Sequence, residues 1–226
     1  MYPIDTSSLF ASISSILALE FGSLRLDPQA YQAAFNAGRQ GTSLLIWIVL
    51  VGGVSLMIGH SVVLFANRVS PARFTISLVL GALKFLLDVL IVVLVVWGMA
   101  NFLSERSWLI GEVGRAVALA SAPYWFSLFF LIPYLGLILE RLLKFYVILA
   151  LIVAVQTTFG IPFLDAILAS VIALLLSQLV SGVLGKFLDP LADRLTALLV
   201  GDARLENARQ IYMLFASKNQ ISLGDE

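Results

Sequence analysis

The sequence predicts an all-α polytopic membrane protein: a bundle of five transmembrane helices with amphipathic interfacial helices at both ends. Composition is the first observation, since 60% of the 226 residues are hydrophobic and 12% are charged. The mean hydropathy of +1.00 is far above that of a soluble domain. The second observation is that five apolar stretches approach the length of about 20 residues that a bilayer core requires.

The N-terminal residues 1–42 precede the spans and are predicted to form helices on the membrane surface. A first segment has apolar residues at helical spacing. It is shorter than a span and has no basic residue before it, so we interpret it as neither a span nor a cleaved signal. Asp27-Pro28 then predicts the start of a second interfacial helix. The apolar residues are Leu9, Phe10, Ile13, Ile16, Leu17 and Phe21 in the first helix, and Tyr31, Ala34 and Phe35 in the second.

The membrane domain is predicted to cover residues 43–187. Charged or glycine-proline breaks separate its apolar stretches, and Pro123 and Pro133 predict kinks in or beside the third one. Residues 188–226 follow as a C-terminal amphipathic tail, which begins with a second Asp-Pro helix start and includes a short amphipathic stretch at 205–215. The predicted spans are 43–66, 75–103, 117–139, 142–159 and 164–187.

The distribution of basic residues predicts the orientation. An odd number of spans places the two termini on opposite sides, and more lysines and arginines fall on the C-terminal side. We therefore expect a cytoplasmic C-terminus. Because the formal net charge is zero, charge gives no indication of nucleic-acid binding. The expected partners are the lipid bilayer and other integral membrane proteins, or a second copy of the chain.

Lys84 and Asp88 lie four residues apart within the second predicted span. A charge at the centre of a spanning helix costs about 2.5–3.5 kcal/mol, so such residues are candidates for function. In a structural interpretation they form an intrahelical ion pair near one membrane face, with Lys84 extending outward. In a functional interpretation they line an ion or proton path. A path would require further polar groups at the same depth on other helices, for which His60 and Gln156 are the only candidates.

No catalytic, cofactor or metal motif is present. The chain contains one histidine, His60, and no cysteine, which excludes thiolate metal ligands and cysteine nucleophiles. Gly59-His60-Ser61 begins like a nucleophile elbow, but Val63 stands where the last glycine would be. We expect a non-enzymatic protein without a cofactor.

Small residues recur at four-residue spacing in the fifth predicted span. Such a seam lets another helix approach closely. The alternatives are packing within this chain and a face for a partner or a second copy. The seam consists of Ala169, Ala173, Ser177, Ser181 and Gly185, and a shorter version in the first span consists of Gly52, Ser55 and Gly59.

Residues 114–160 resemble the YIP family of multi-pass membrane proteins, named for interaction with Ypt/Rab GTPases, and in particular its bacterial branch. The resemblance rests on Ala122-Pro123-Tyr124 and on Leu131-Ile132-Pro133-Tyr134-Leu135-Gly136, followed by a charged turn and an aliphatic helix. A weaker similarity extends over residues 40–187. Pro123, Tyr124, Pro133 and Gly136 are the pattern positions, which we interpret as determinants of shape.

The resemblance implies five spans and a non-enzymatic role as a scaffold, assembly or trafficking-like factor, in a prokaryotic cytoplasmic or internal membrane. The chain lacks the long acidic N-terminal region and the Asp-Leu-Tyr-Gly-Pro stretch of eukaryotic members, which puts a GTPase partner in doubt. The alternative function is a small transporter or channel subunit that uses Lys84 and Asp88.

Overall fold

A computed structural model describes residues 2, 4–60, 71–103, 107–132 and 135–200. Side chains are described within these ranges except at residues 40, 71–73, 76, 77, 80, 103, 181, 184, 185 and 187–200. Every regular element in the described ranges is a helix, which confirms the all-α class. The predicted features at Pro133, Tyr134 and 205–215 lie outside them.

The described residues form seven α-helices and one 3₁₀ helix. Asp27 accepts a hydrogen bond from the Gln29 N–H and so caps the second helix ahead of Pro28, as the sequence indicates. The elements are α1 (Leu9–Leu24), α2 (Pro28–Asn36), α3 (Gly38–Gly59), α4 (Pro71–Leu103), α5 (Ile110–Ala120), the 3₁₀ segment (Ala122–Leu131), α6 (Gly136–Phe159) and α7 (Phe163–Val200).

Three helices in the described part of the chain are long and apolar enough to cross a membrane. The apolar segments are Gly41–Gly59 in α3, Gly81–Phe102 in α4 and Phe163–Val180 in α7. They coincide with the first, second and fifth predicted spans and support an integral membrane protein. The fourth predicted span lies within α6, which is not among the three. Helix α7 continues through Pro190 to Val200, so the tail does not begin with a separate helix at Asp189.

The third predicted span is not one continuous helix. Helix α5 ends at Ala120, and the chain continues as the 3₁₀ segment. Pro123 explains the change, because its missing N–H leaves the carbonyl of Leu119, four residues earlier, without its helical donor. The prediction of five regular spanning helices is therefore confirmed only in part.

Side chains from other helices satisfy the backbone groups that this break exposes. The Ser23 hydroxyl of α1 donates to the Leu119 carbonyl at 2.9 Å. Ser55 of α3 donates to the Trp125 carbonyl at 2.5 Å and accepts from the Leu128 N–H at 3.0 Å. Irregular backbone at membrane depth requires such partners, so the broken segment is stable only inside the bundle.

The discontinuous unit of α5 and the 3₁₀ segment lies at the centre of the bundle. Helix α5 contacts α2, α3, α4 and α6, and the 3₁₀ segment contacts α3 and α6 most extensively. Val113, Leu119 and Ala122 are fully buried there. Gly59 of α3 lies so close to the Ser127 carbonyl that a Cβ would overlap it. The short small-residue seam in α3 thus serves close packing within the chain.

Helices α1 and α2 form an N-terminal hairpin that packs on the bundle. Tyr31 and Ala34 of α2 are fully buried, and α2 contacts α5 and α6. The sequence predicts that this apolar face lies on the membrane surface, but the protein covers it instead. Arg115 of α5 stabilises the arrangement, because its guanidinium donates to the carbonyls of Ala34 at 3.2 Å and Phe35 at 2.7 Å at the end of α2.

The outer face of α1 remains apolar and exposed. Leu9 and Phe10 are 80% and 84% exposed, and Ile13, Leu17 and Phe21 are exposed on the same side. The opposite face of α1 carries small and polar residues that pack on the bundle, including Ser15, Gly22 and Ser23. This arrangement suits a helix between protein and lipid, as the spacing of its apolar residues indicates.

Candidate functional site

Asp88 lines a cavity inside the bundle. The cavity has a volume of about 120 Å³ and lies between α4, α5, the 3₁₀ segment, α6 and α7. Ser121 and Tyr124 supply its other polar side chains, and the rest of its lining is apolar. The half-buried Asp88 carboxyl group therefore faces a small, largely apolar space at the junction of five elements.

The packing register places Asp88 near the middle of the spanning helices. Gly53 of α3 packs against Ala82 and Phe85 of α4, and Val49 and Val89 line one groove. Asp88 is therefore level with about residue 49, close to the centre of the apolar segment Gly41–Gly59.

Helix α7 gives the same depth from the opposite side of the cavity. Leu174 shares the cavity with Asp88 and lies about 16 Å from the start of α7 at Phe163, at a rise of 1.5 Å per residue. The sequence interpretation that placed Asp88 near one membrane face does not agree with this register. Length alone could not reveal the depth, because the 33 residues of α4 exceed the bilayer core.

Lys84 lies one turn before Asp88 on the same continuous helix, and its side chain is exposed. The spacing allows the two side chains to interact, and the intrahelical ion pair stays a prediction. Because α4 begins at Pro71, Lys84 lies nearer than Asp88 to the end of the bundle where that helix starts. Lys84 is therefore placed between the cavity level and that end.

Tyr124 brings a phenol to the cavity. Its ring packs edge-on against Phe85, with a centroid distance of 5.0 Å, and it lies within electrostatic range of Asp88. The neighbouring Trp125 donates its indole N–H to the Ile48 carbonyl at 2.9 Å. Both aromatic side chains thus lie within the bundle and not in an interfacial belt.

The described pattern positions act as packing sites. Pro123 is fully buried at the start of the 3₁₀ segment. Gly136 is buried at the start of α6, where a Cβ would overlap the Phe130 carbonyl. With Tyr124, these residues shape the central break and the cavity.

The small-residue seam of α7 is used partly within the chain. Ala173 is fully buried and Ser177 nearly so, where α7 packs against α4 and α6. Ala169 packs partly buried against the same core and lines a second cavity. Farther along, Gly182 has open space around the position of a Cβ. The side chain of Ser181 and the surroundings of Gly185 lie outside the described residues.

His60 follows the C-terminus of α3, at the opposite end of this helix from the α1–α2 hairpin. Its ring lies 5.7 Å from the ring of Phe130, and it is within electrostatic range of Glu140 and Lys144, which form an ion pair at 2.6 Å. In the part of the chain that the structure describes, no group of three or more metal-ligating side chains occurs. His60 is also distant along α3 from the level of Asp88.

Glu20 is a buried acid that the sequence interpretation did not select. It lies on α1, is 3% exposed, and neither carboxyl oxygen has a hydrogen-bond partner in the described structure. Burial raises the pKa of Glu20 to about 8. In the sequence Glu20 marks the end of an apolar stretch, and only the docking of α1 reveals that it is covered.

In the described residues, the fold and these sites define an all-helical protein in which three helices have membrane-spanning length and the acids Asp88 and Glu20 lie away from water. No protein-family model matches the chain. No significant match occurs among curated proteins or solved structures either. The resemblance to the YIP family therefore stays a prediction, and function has to be argued from the geometry.

Proposed function

We propose that the protein is a non-enzymatic integral membrane protein that moves protons, or another small cation, through the bundle by way of Asp88. The observation that carries the proposal is the position of Asp88 at a cavity near mid-depth. A carboxyl group so far from water is costly, and its usual roles are in ion pathways and proton relays. In this proposal α3, α4, α5 with the 3₁₀ segment, α6 and α7 make five crossings.

The size of the cavity favours a very small solute. A water molecule occupies about 30 Å³ in the liquid, so the cavity of about 120 Å³ has room for only a few waters. Tyr124 and Ser121 provide hydroxyl groups beside the carboxyl group, and a hydroxyl can both donate and accept a hydrogen bond. This set of groups suits a proton or a partly hydrated cation better than an organic substrate.

The central break supports the same proposal. Discontinuous helices at membrane depth are common at the binding sites of transporters, because their unpaired backbone groups can face a solute. Here the break begins at Pro123, beside Tyr124 of the cavity. Lys84, on the turn before Asp88, would lie on the route between the cavity and one end of the bundle.

Flux measurements in liposomes test the proposal. Purified protein is reconstituted with a pH-sensitive dye inside, and a pH or potassium gradient is applied. We expect flux above that of empty liposomes for the wild type, and loss of at least tenfold in Asp88→Asn and in the double variant Lys84→Leu/Asp88→Leu. The matched control is Asp165→Asn, because Asp165 is exposed in the first turn of α7. Equal background flux in all proteins would refute this function.

A scaffold or assembly function is the second candidate. It is supported by the stretch of α7 beside the C-terminal part of the seam, where Gly182 has open space at the Cβ position and Val183 is exposed. A helix from a partner membrane protein or a second copy could pack there. Crosslinking after gentle native extraction tests this function: recovery of only the monomer, without a crosslinked partner, would contradict it. Reporters fused to each terminus test the proposed cytoplasmic C-terminus.

A further inference from the structure

Glu20 occupies an unusual position for an acid. It lies on the face of α1 that packs on the bundle, 3% exposed and without a hydrogen bond from any described group to either oxygen. An ionised carboxylate in such a place requires a cation or several hydrogen-bond donors. The neutral acid fits the site far better, since it has no charge to solvate.

Among the described residues, no cation forms a hydrogen bond or ion pair with Glu20. Tyr31 of α2 lies within electrostatic range of Glu20, and its phenol pairs with the Ser23 hydroxyl at 3.0 Å. Arg115 donates to the end of α2. Arg25 is the C-cap of α1, and the elements packed against α1, with the segments beside them, carry these further titratable or charged groups: Tyr2, Asp5, Asp27, Tyr31, Arg39, His60, Glu112, Arg115, Tyr124, Glu140, Arg141, Lys144 and Tyr146.

The hairpin that covers Glu20 is held by a small set of polar contacts. Ser23 donates to the Leu119 carbonyl, Tyr146 donates to the Leu24 carbonyl, and Arg115 donates to α2. The outer face of α1 is apolar, so α1 can move along the bundle surface and still remain in contact with lipid. A local opening of this hairpin would hydrate Glu20 without unfolding the spanning helices.

We propose that Glu20 is a proton-binding site that couples the docking of the α1–α2 hairpin to pH. The docked hairpin holds the proton, and loss of the proton favours the open hairpin in which the carboxylate is hydrated. The proposal is independent of the function suggested for Asp88, because it concerns another helix and requires no flux.

The direction of the pH effect follows from proton linkage. Burial raises the pKa of Glu20 from 4.5 to about 8 in the docked state. The contribution of the protonated acid to docking is therefore fully present below pH 4.5 and is lost as the pH rises to 8. Over that interval the docking equilibrium weakens by up to about tenfold per pH unit, and above it the equilibrium no longer changes.

Cysteine accessibility tests the proposal in the full-length protein in liposomes. The chain has no cysteine, so an introduced thiol is the only one. Ala34→Cys places the thiol on the face of α2 that packs on the bundle, where Ala34 is fully buried. Leu19→Cys is a second reporter on α1, since Leu19 is 1% exposed. Ser7→Cys is the exposed control, which corrects for the pH dependence of the maleimide reaction itself.

The expected result is a corrected labelling rate that rises with pH between about 5 and 8, by up to about tenfold per unit, for both buried reporters. Adding Glu20→Gln should make the rate independent of pH, because the amide keeps the shape and cannot ionise. A rate that rises equally with and without Glu20→Gln, or that does not rise at all, would overturn the proposal.

A second measurement reads the proton directly. A hydrophobic carbodiimide adds to protonated carboxyl groups in apolar surroundings, and mass spectrometry locates the adduct. At pH 6.5 we expect modification of Glu20 in the wild type, its decrease as the pH is raised past 8, and its absence in Glu20→Gln. Lack of modification of Glu20 at pH 6.5 would contradict a protonated buried acid, whatever the flux assay shows.

Discussion

The bundle centre and the N-terminal hairpin each contain an acidic residue away from water, but they hold it differently. Asp88 is half-buried on a spanning helix, at a cavity with two hydroxyl groups nearby. Glu20 is almost fully buried on the face of the hairpin that packs on the bundle, and no described group bonds to it. The first arrangement suits a group that exchanges a small cation with its surroundings. The second suits a group whose protonation decides whether a local structure stays closed.

The largest expected effect is a loss of stability at high pH that depends on Glu20 and not on Asp88. The pKa of Glu20 is raised from 4.5 to about 8 by burial, so the folded protein should lose stability as pH rises between these values. A shift of that size sets an upper limit of roughly 4–5 kcal/mol on the loss in the free energy of unfolding, because the loss stops once the hairpin has opened. Thermal unfolding in detergent, followed by circular dichroism from pH 5 to pH 8.5, measures the loss.

The matched comparison for this measurement is Glu20→Gln against Asp88→Asn. Glu20→Gln should flatten the pH dependence, whereas Asp88→Asn should leave most of it in place. If Asp88→Asn removes the pH dependence and Glu20→Gln does not, then Asp88 and not Glu20 causes the pH dependence of stability.

A second substitution tests how tightly the bundle centre is packed. Gly59→Val introduces a side chain against the Ser127 carbonyl, and backbone cannot move aside as a flexible side chain can. We expect a loss of about 3 kcal/mol in the free energy of unfolding. Gly182→Val is the control, since Gly182 has open space, and it should change stability by less than about 0.5 kcal/mol. Similar unfolding temperatures for the two variants would contradict the close packing of α3 on the 3₁₀ segment.

The comparison of the two regions also shows what the sequence could predict. Helices α3, α4 and α7 follow from apolar length, and the kink near Pro123 follows from its missing N–H. The depth of Asp88 does not follow, because register between helices is set by contacts such as that of Gly53 with Ala82. Glu20 could not be identified as buried, since an apolar helix face looks the same whether lipid or protein covers it.

The docking of α2 on the bundle could not be predicted from the sequence for the same reason. Tyr31 and Ala34 form an apolar face that suits the membrane surface equally well. The structure covers them because Arg115, on an element about 80 residues away, reaches the carbonyls at the end of α2. A long-range contact of this type has no local sequence signal.

Arg115 provides the third prediction. Arg115→Gln removes charge-assisted hydrogen bonds to Ala34 and Phe35, each of which contributes about 1.5–3 kcal/mol. Because the Gln amide can still donate to one of these carbonyls, we expect hairpin docking to weaken by the contribution of one such bond, about 2 kcal/mol, visible as faster hydrogen exchange in α1 and α2 with little change in α7. Arg39→Gln is the control, because Arg39 is an exposed arginine near the start of α3. Uniformly faster exchange along the whole chain would show that Arg115 supports the bundle and not the hairpin specifically.

The smallest expected effect concerns the link between the two regions. Pro123 leaves the Leu119 carbonyl without its helical donor, and Ser23 of the hairpin donates to it at 2.9 Å. Ser23→Ala should therefore cost about 1 kcal/mol or slightly more, because a buried carbonyl loses its partner. Ser14→Ala, on the exposed face of α1, should have no comparable effect.

A double-mutant cycle makes this link specific. Pro123→Ala restores an N–H four residues after Leu119, so the helix itself can satisfy the carbonyl and Ser23 becomes dispensable. The cost of Ser23→Ala should then fall close to zero in the Pro123→Ala background, with stability measured by the unfolding midpoint in denaturant. If the two substitutions are additive, Ser23 does not compensate for the missing N–H of the proline.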